Sequence, residues 1–412
     1  MLVLRNISLR SFPTLNKFIS NNLFLSNCSQ TMSQQAEIQV EEPIKKPKYD
    51  GRTKKRKWEE RRSENTQDSD VKREKPTEAV ERIRRRKFAL LMGYSGSNYY
   101  GMQRNPQTAT IEEELFTALL KSEHINEENF NQVQTMQFQR AARTDKGVSA
   151  VRQVCSMKLR ETLDIAKINE HLPETIRIFG ARRVTKGFNS KSQCDARTYM
   201  YMLPTAAFAD HDETVSQETY RLNDEKLAKI NEILALFVGT KNYHNYTCRK
   251  RFNDPSAARF IMSFECDKPF ITQGIEFAVM RVKGQSFMMH HIRKMVGITL
   301  SLVRGHTDME TFKKSFTNEK VNLPKAPGLG LVLDFVHYTR YDQRYGADHD
   351  KLLWEEENAE VEAFREKYIY PTIVDTEVKE LSMLTWVKVL DIHGYDLDEE
   401  ENNDEKDGNI SD

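Results

Sequence analysis

The chain has 412 residues, 38% of them hydrophobic and 30% charged, which is long enough for a large globular domain with polar extensions. Its formal net charge of +1 conceals a segregation of charge. Residues 45–87 hold 18 Lys and Arg against 9 acids, whereas residues 391–412 hold 10 acids and one Lys. The total charge therefore says little about binding partners.

Five scattered cysteines form no Cys-x-x-Cys pair. This pattern argues against a disulfide framework and a cysteine-based zinc site, and favours a reducing compartment. We therefore expect no metal site. The sequence contains no run of 18 apolar residues, so it predicts no membrane-spanning helix.

Residues 1–36 contain three cations and no acid, a composition typical of a mitochondrial transit segment or of a tail that lacks acids by chance. A start at Met32 would remove this segment, so the sequence predicts two forms, in mitochondrion and nucleus. Residues 37–82 are polar and predicted to be disordered. Their basic clusters at 45–48 and 54–57 indicate nuclear localisation, a nucleic-acid arm or a solvated tail.

Ordered structure is predicted from residue 83, in two halves followed by a helical extension. The half at 83–190 is predicted to contain strands and helices in alternation, at 88–92, 111–119, 151–159, 163–168 and 176–178. In the half at 191–345 the expected elements are a strand, a helix, a strand pair, two helices and a strand, at 195–204, 223–237, 258–266, 275–283, 286–303, 307–316 and 329–335. The extension at 346–390 is predicted to hold amphipathic helices near 353–368 and 376–390, before a disordered acidic tail at 391–412. The irregular alternation favours an α+β fold with two subdomains.

Two segments carry candidate reactive side chains. Residues 140–150 place Asp145 among three cations, small residues and a glycine, which suits either a charged turn or a close approach of ligand to backbone. The following strand would hold the carboxylate on a rigid support. Residues 197–201 place Arg197 and Tyr199 on a strand, where they could pack as surface residues or stack a base.

Two further segments complete the candidate site. Arg293 lies on a mostly apolar helix and needs a partner, because an unpaired buried cation costs several kcal/mol. A carboxylate reached across the fold is the most economical partner. Residues 325–331 form a Gly- and Pro-containing loop before a strand, which alone would be interpreted as a turn.

In this order the four segments resemble the motifs of the tRNA pseudouridine synthase A-type family, particularly its eukaryotic branch, and the resemblance covers roughly residues 83–390. It implies an α+β fold of two subdomains around a mixed, mainly antiparallel sheet, with a basic catalytic cleft between them. It also implies an isomerase acting on tRNA, with several target uridines, many in or near the anticodon stem. Other structured RNAs, such as mRNA or snRNA, are further candidate substrates.

The resemblance also implies roles for five residues. Asp145 would be the catalytic aspartate and Arg293 the cation that pairs with it. Tyr199 would pack on the target uracil and help to move a proton from C5. Arg143 would fill the space left by the flipped base, and Arg197 would belong to the substrate-binding set.

The chemistry agrees with this assignment but leaves the route open. Pseudouridine formation breaks the N1–C1′ bond of uridine, turns the uracil and rejoins it through C5. An ionised Asp145 could attack C1′ of the sugar or C6 of the base, or assist loss of the C2′ proton. Many family members have His at the position of Ser149, so that residue receives no role.

No cofactor is expected, because the isomerisation involves no redox change and the sequence has no G-x-G-x-x-G or G-K-[ST] loop. A methyltransferase would need a cofactor-binding glycine loop, and a zinc deaminase a P-C-x-x-C signature; neither is present. A catalytically silent RNA-binding or chaperone protein of the same fold is the main alternative. The sequence does not predict whether the protein is a monomer or a dimer.

Overall fold

The computed structural model describes residues 84–396. The predicted transit segment, the basic segment at 37–82 and residues 397–412 of the acidic tail lie outside the described residues. Domain boundaries predicted at 190 and 345 stay predictions.

Within residues 84–396, ten strands form one open sheet, in the order β4-β1-β3-β10-β5-β9-β7-β6, with β2 beside β3 and β8 beside β9. The strands are β1 (Arg85–Tyr94), β2 (Gln139–Arg140), β3 (Ser149–Arg160), β4 (Ile176–Arg183), β5 (Ala196–Pro204), β6 (Gly239–Asn242), β7 (Ala258–Cys266), β8 (Phe270–Thr272), β9 (Ile275–Gly284) and β10 (Leu331–His337). Among these ten described strands, only β3 and β10 pair in parallel, and the other pairs are antiparallel. The prediction of an α+β fold with a mixed, mainly antiparallel sheet is confirmed.

The parallel pair joins the two predicted halves, because β3 comes from the first and β10 from the second. Ala150 of β3 pairs with Leu333 of β10, and Leu333 pairs on its other side with Tyr199 of β5. Parallel strands begin at the same end of a sheet. The loops that precede β3 and β10, which carry two of the four predicted motifs, therefore leave the sheet side by side.

Ten helices accompany the sheet within residues 84–396. They are α1 (Ile111–Lys121), α2 (Glu127–Asn131), α3 (Ile165–Asn169), α4 (Asp224–Ala235), α5 (His291–Arg304), α6 (Met309–Lys314), α7 (Thr339–Tyr345), α8 (Asn358–Phe364), α9 (Tyr370–Glu380) and α10 (Ser382–Val387). Predicted capping residues begin two of them. The side chains of Thr110 and Asn223 accept hydrogen bonds from the third residue of the helix that follows each. Within the described part of the chain, no helix combines the length and apolarity needed to cross a bilayer.

Two helix boundaries in the second half were predicted wrongly. The helix predicted from residue 286 begins at His291, because His290 adopts a left-handed conformation with φ of 61° and interrupts the helical backbone. The cap of α6 is Asp308 rather than Thr307, and the helix ends at Lys314 rather than at residue 316. The apolar periodicity continues through both boundaries, so it could not locate them.

The C-terminal extension also differs from the prediction. Its first helix begins at Asn358, not near 353, and continues through a π-helical turn at Arg365–Ile369 into α9. That turn precedes Pro371, which lacks a backbone N–H and crowds the preceding helical turn, and a widened turn can accommodate both effects. The next helix is divided from α9 by Leu381, whose φ is 50°. A 3₁₀ turn at Lys388–Ile392 extends ordered backbone past residue 390.

A chain of ion pairs joins this extension to the sheet. Asp334 on β10 accepts from Arg281 on β9 at 3.1 Å and from Arg365 in the π-helical turn at 2.6 Å. The remaining contacts continue the chain at both ends: Arg281–Asp267 at 2.7 Å, Arg365–Glu362 at 3.3 Å and Glu362–Arg152 at 2.8 Å. The extension is thereby attached to strands from both halves.

Candidate active site

The loop that contains Asp145 is held by a buried amide. Gln153 on β3 is fully buried, and its side chain makes two hydrogen bonds with the backbone of Ala142. The N–H of Ala142 donates to Oε1 at 3.1 Å, and Nε2 donates to the carbonyl of Ala142 at 2.8 Å. One side chain thus satisfies both backbone groups of a residue three positions before Asp145.

The segment after β1 holds the other side of the same loop. The hydroxyls of Tyr94 and Thr144 lie 2.8 Å apart, and the N–H of Met102 donates to the carbonyl of Thr144 at 3.1 Å. Gly101 has a φ of 108°, and a Cβ there would lie 2.7 Å from the Thr144 carbonyl oxygen. Glycine is required for this approach, so the loop that follows β1 supports the Asp145 loop directly.

Arg197 connects the loop to the second half. Its Nε and Nη2 donate to the carbonyl of Ala141 at 3.0 and 2.6 Å, and its Nη1 donates to the carbonyl of Gln285 at 3.2 Å. The guanidinium of Arg197 therefore donates hydrogen bonds to one backbone carbonyl in each half, that of Ala141 and that of Gln285. Its predicted contact with substrate stays a prediction.

Asp145 itself is exposed, and its carboxylate has no hydrogen bond or ion pair with any residue in 84–396. The same holds for the exposed guanidinium of Arg143, two residues earlier. The backbone between them is fixed by Thr144, so both side chains project from a rigid loop. A carboxylate in this state can receive a ligand without first breaking an internal contact.

Arg293 lies on α5 near Asp145. Its Nε donates to the carbonyl of Ala326 at 2.6 Å, and the N–H of Ala326 donates back to the carbonyl of Arg293 at 3.2 Å. Burial lowers the pKa of Arg293, while Tyr201 and Asp145 act in the opposite direction. Arg293 is therefore close enough to sense the Asp145 charge, but no N···O distance of 4.0 Å or less joins them here. The predicted pairing stays a prediction.

Tyr199 on β5 is buried beside Asp145 and Arg293. Its ring meets Phe287 edge to face, with centroids 5.2 Å apart. Burial raises the pKa of Tyr199 to about 12, an effect to which the charge of Asp145 adds. The hydroxyl is therefore protonated at neutral pH, and the side chain offers an apolar ring with a hydrogen-bond donor.

The loop before β10 closes the other side of the site. The hydroxyl of Tyr201 donates to the carbonyl of Pro327 at 2.7 Å. The guanidinium carbon of Arg293 lies 3.8 Å from the point that a Cβ atom would occupy at Gly328. The four segments singled out in the sequence thus meet in space, through Asp145, Tyr199, Arg293 and the 325–331 loop.

Comparison with known proteins identifies the family. The sequence pattern of tRNA pseudouridine synthases matches residues 233–339, which include Arg293 and the 325–331 loop but not Asp145. The chain is 51% identical to the mouse pseudouridylate synthase 1 homolog, over 79% of this chain and 78% of the mouse protein. It is 53% identical to the human pseudouridylate synthase 1 homolog, over 75% and 74% of the two chains. Identity to tRNA pseudouridine synthase 1 of Yarrowia lipolytica is 32%, over 81% and 79%.

The chain belongs to the tRNA pseudouridine synthase family. It is therefore an isomerase that converts uridine to pseudouridine in RNA, and tRNA is the substrate class of the family. This membership excludes the methyltransferase and deaminase interpretations and favours an enzyme over a silent RNA-binding protein. The expectation from the four sequence segments is confirmed at the level of family and reaction.

Three side chains at or next to this synthase site received no role from the sequence. Gln153 had a usable signal, since it is a polar residue on the apolar face of a strand, where a buried amide must find partners. His290, the residue immediately before α5, gave no such signal in the sequence, because apolar periodicity does not encode a left-handed backbone conformation. Ser149 now has a structural contact: its Oγ accepts from the N–H of Gly96 at 2.9 Å.

Proposed function

We propose that this enzyme isomerises uridines of tRNA, including uridines of the anticodon stem, with Asp145 as the reacting carboxylate. The observation that supports this is the Asp145 carboxylate itself. It is exposed and makes no hydrogen bond or ion pair with the described residues, on a loop fixed on both sides, with Tyr199 and Arg293 beside it.

The proposed chemistry uses these three side chains in order. Asp145 reacts with the target nucleotide at C1′ or C6, or takes up the C2′ proton, and the glycosidic bond from C1′ to N1 breaks. Uracil then turns while it is held against the ring of Tyr199, and C5 bonds to C1′ as the bond to Asp145 breaks or the C2′ proton returns. C5 loses its proton and N1, released from C1′, takes one up, so the product is an isomer of the substrate. The charge of Arg293 offsets the anion that develops at the site.

Access to the target base requires its extrusion from the stem. Flipping a nucleotide costs a few kcal/mol, and a side chain that fills the vacated space offsets part of that cost. Arg143 is suited to this role because its guanidinium is exposed and makes no hydrogen bond or ion pair with residues 84–396. Arg can also stack on the neighbouring bases.

A panel of tRNA transcripts tests the substrate assignment. Unmodified transcripts would be incubated with the full-length protein, and pseudouridine mapped by a carbodiimide-dependent reverse-transcription stop. We expect stops at anticodon-stem uridines, which disappear when those uridines are replaced by cytidine in compensated base pairs. Product only outside the anticodon stem would contradict the site assignment, and no product in any tRNA would contradict the substrate assignment. Structured mRNA and snRNA fragments in the same panel test the wider substrate range.

We also propose that the protein occurs in the mitochondrion and the nucleus, through starts at Met1 and Met32. The support is the composition of residues 1–36 and the basic clusters at 45–48 and 54–57. Tagged forms beginning at each methionine would be localised by microscopy. We expect mitochondrial signal only for the longer form, and identical distributions would contradict the proposal.

A further inference from the structure

A cavity of about 360 Å³ lies next to the active site, where α5, the loop before β10 and the C-terminal extension meet. We call it the C-terminal pocket. Its walls include His290 and Lys294 from the start of α5, Lys325 from the loop, and Trp386 and His393 from the extension. The volume is at the lower end of the range for small-ligand sites, about 300–1,000 Å³.

The charge of the pocket is of one sign. Two lysines and two histidines line it, and none of the lining residues is an Asp or Glu. Lys325 is exposed and has no carboxylate within 4.0 Å among residues 84–396. Lys294 donates to the carbonyl of Asn245 at 3.1 Å. These cations make the pocket complementary to an anion.

The electrostatics of His290 agree with this description. Its pKa is lowered by burial first and then by the charges of Lys325, Arg293 and Lys294, while Asp145 acts in the opposite direction. Repulsion between like charges lowers the pKa of a histidine. The positive potential of the lysines therefore extends to the half-buried His290 side chain as well as to the exposed edge of the pocket.

The C-terminal extension adds an aromatic and apolar part to the lining of the pocket. Trp386 of α10 is partly buried, and its ring stacks on no other ring or cation within the described residues. Next to it, Val389 is 48% exposed. An aromatic side chain and cations in one pocket are a combination with which proteins bind a nucleotide, because the base stacks while the phosphate is neutralised.

The pocket shares a wall with the reactive centre. Lys325 immediately precedes Ala326, whose carbonyl accepts from Arg293 at 2.6 Å, and His290 is three residues before Arg293. The charge of Asp145 also reaches His290. An RNA strand whose target uridine lies at Asp145 can therefore extend a neighbouring nucleotide towards this pocket.

We propose that the C-terminal pocket binds one nucleotide of the substrate RNA other than the target uridine, with its base on Trp386 and its phosphate at Lys325 and Lys294. The proposal rests on tRNA being the substrate. It assigns the C-terminal extension a direct part in RNA recognition, through a contact that involves no reacting atom.

Steady-state kinetics of full-length variants on a tRNA transcript test the proposal. Trp386→Leu and Lys325→Ala should each raise KM about 5- to 50-fold and change kcat less than about twofold, because stacking and phosphate contacts stabilise binding. Trp386→Phe, which keeps a stacking ring, should stay within about threefold of wild type. Lys388→Ala is the matched control, an exposed lysine of the same extension outside the pocket, and should not change KM.

Salt dependence separates a phosphate contact from a loss of fold. Lys325→Ala should lower the slope of log KM against log salt by about one, whereas Lys388→Ala should leave it unchanged. Thermal denaturation of each variant checks that Trp386→Leu is folded. If that variant is unfolded, Lys325→Ala compared with Lys388→Ala still carries the test.

The outcomes distinguish this proposal from the proposed function. If wild type forms no pseudouridine in tRNA, the substrate assignment fails. If wild type is active and folded Trp386→Leu and Lys325→Ala have wild-type KM and salt slope, the pocket does not bind the RNA. Uridine monophosphate is the small-ligand probe. Saturable quenching of tryptophan fluorescence by that nucleotide in wild type but not in Trp386→Phe, without any change of tRNA KM in the variants, would identify a mononucleotide site and overturn the proposal.

Discussion

At Asp145 the reactive side chain and its backbone have opposite properties. The carboxylate is exposed and has no hydrogen-bond or ion-pair partner among residues 84–396, whereas the backbone from Ala141 to Thr144 bonds to Arg197, Gln153 and Met102. Fixing the backbone removes conformational freedom before substrate arrives, so less entropy is lost in reaching a reactive geometry. The active site is therefore prepared by side chains that do not themselves react.

The first prediction concerns Gln153. Gln153→Leu would leave the buried N–H and carbonyl of Ala142 without partners, which should lower the free energy of unfolding by about 2–5 kcal/mol. Gln134→Leu, at an exposed glutamine, should change it by less than about 0.5 kcal/mol. Urea denaturation measures both. An unchanged urea midpoint for Gln153→Leu would show that the amide does not hold the loop.

A second prediction decides the role of Arg197. Lysine cannot reproduce a planar guanidinium that bonds to Ala141 and Gln285 together, so Arg197→Lys should displace the loop and lower kcat about 10- to 100-fold. The dissociation constant for tRNA should stay within about twofold of wild type. Arg183→Lys, at an exposed arginine, is the control. A weakened tRNA affinity with unchanged kcat would instead support the substrate contact suggested by the family resemblance.

At the scale of elements, the junction between α9 and α10 contains a buried acid. Glu377 accepts a hydrogen bond from the N–H of Met383 at 3.0 Å, which links the two helices across the break at Leu381. Burial raises the pKa of Glu377 to about 7, with a further increase from Glu380 and an opposing effect of the Met383 N–H. The folded protein therefore holds this proton at pH values where the unfolded chain has lost it.

This difference predicts a dependence of stability on pH. Between the ordinary glutamate pKa and about 7 the folded state binds more protons, so the contribution of Glu377 to stability falls as pH rises through this window. The loss is on the order of 3 kcal/mol at most. Glu377→Gln should therefore match wild type near pH 4.5 and be more stable at pH 8 in urea denaturation. Glu360→Gln, at an exposed acid of α8, should show no such difference; a parallel pH profile for Glu377→Gln and wild type would contradict the prediction.

The predictability of the elements follows from the range of the interactions that form them. Alternation and capping residues are local signals, and they located β3, β5, α1 and α4. The start of α5 was missed because a left-handed His290 is imposed by its surroundings. The parallel pairing of β3 with β10 joins residues about 180 positions apart, and no local pattern encodes it. The four site segments could be named from the sequence, but the contacts that fix them, such as Gln153 with Ala142, required the fold.

At the scale of the whole molecule, one continuous sheet runs through both predicted halves, and the C-terminal extension is fixed across their junction. Asp334 is central to that attachment, because it pairs with Arg281 of β9 and with Arg365 of the extension. The side chains of Asp334 and Arg365 are 11% and 8% exposed, so these charges are largely withdrawn from water. Removing one partner of a buried pair leaves an uncompensated charge.

The last stability prediction uses this arrangement. Asp334→Asn should lower the free energy of unfolding by about 3–5 kcal/mol, because it leaves two arginines without their shared carboxylate. Asp267→Asn removes the other, more exposed partner of Arg281 and should cost about 1 kcal/mol or less. Equilibrium denaturation compares the two variants. Equal losses would show that the buried pair does not attach the extension.

The assignment of the reaction to Asp145 is tested most directly by single-turnover pseudouridine formation on a tRNA transcript. Asp145→Asn and Asp145→Ala remove the carboxylate and keep the loop, so the rate constant should fall at least about a thousandfold. The tRNA dissociation constant should stay within about threefold of wild type, since the residue does not carry the binding. Variants that bind tRNA and form no pseudouridine would support the account. Pseudouridine formation by Asp145→Ala at a rate near that of wild type would contradict it.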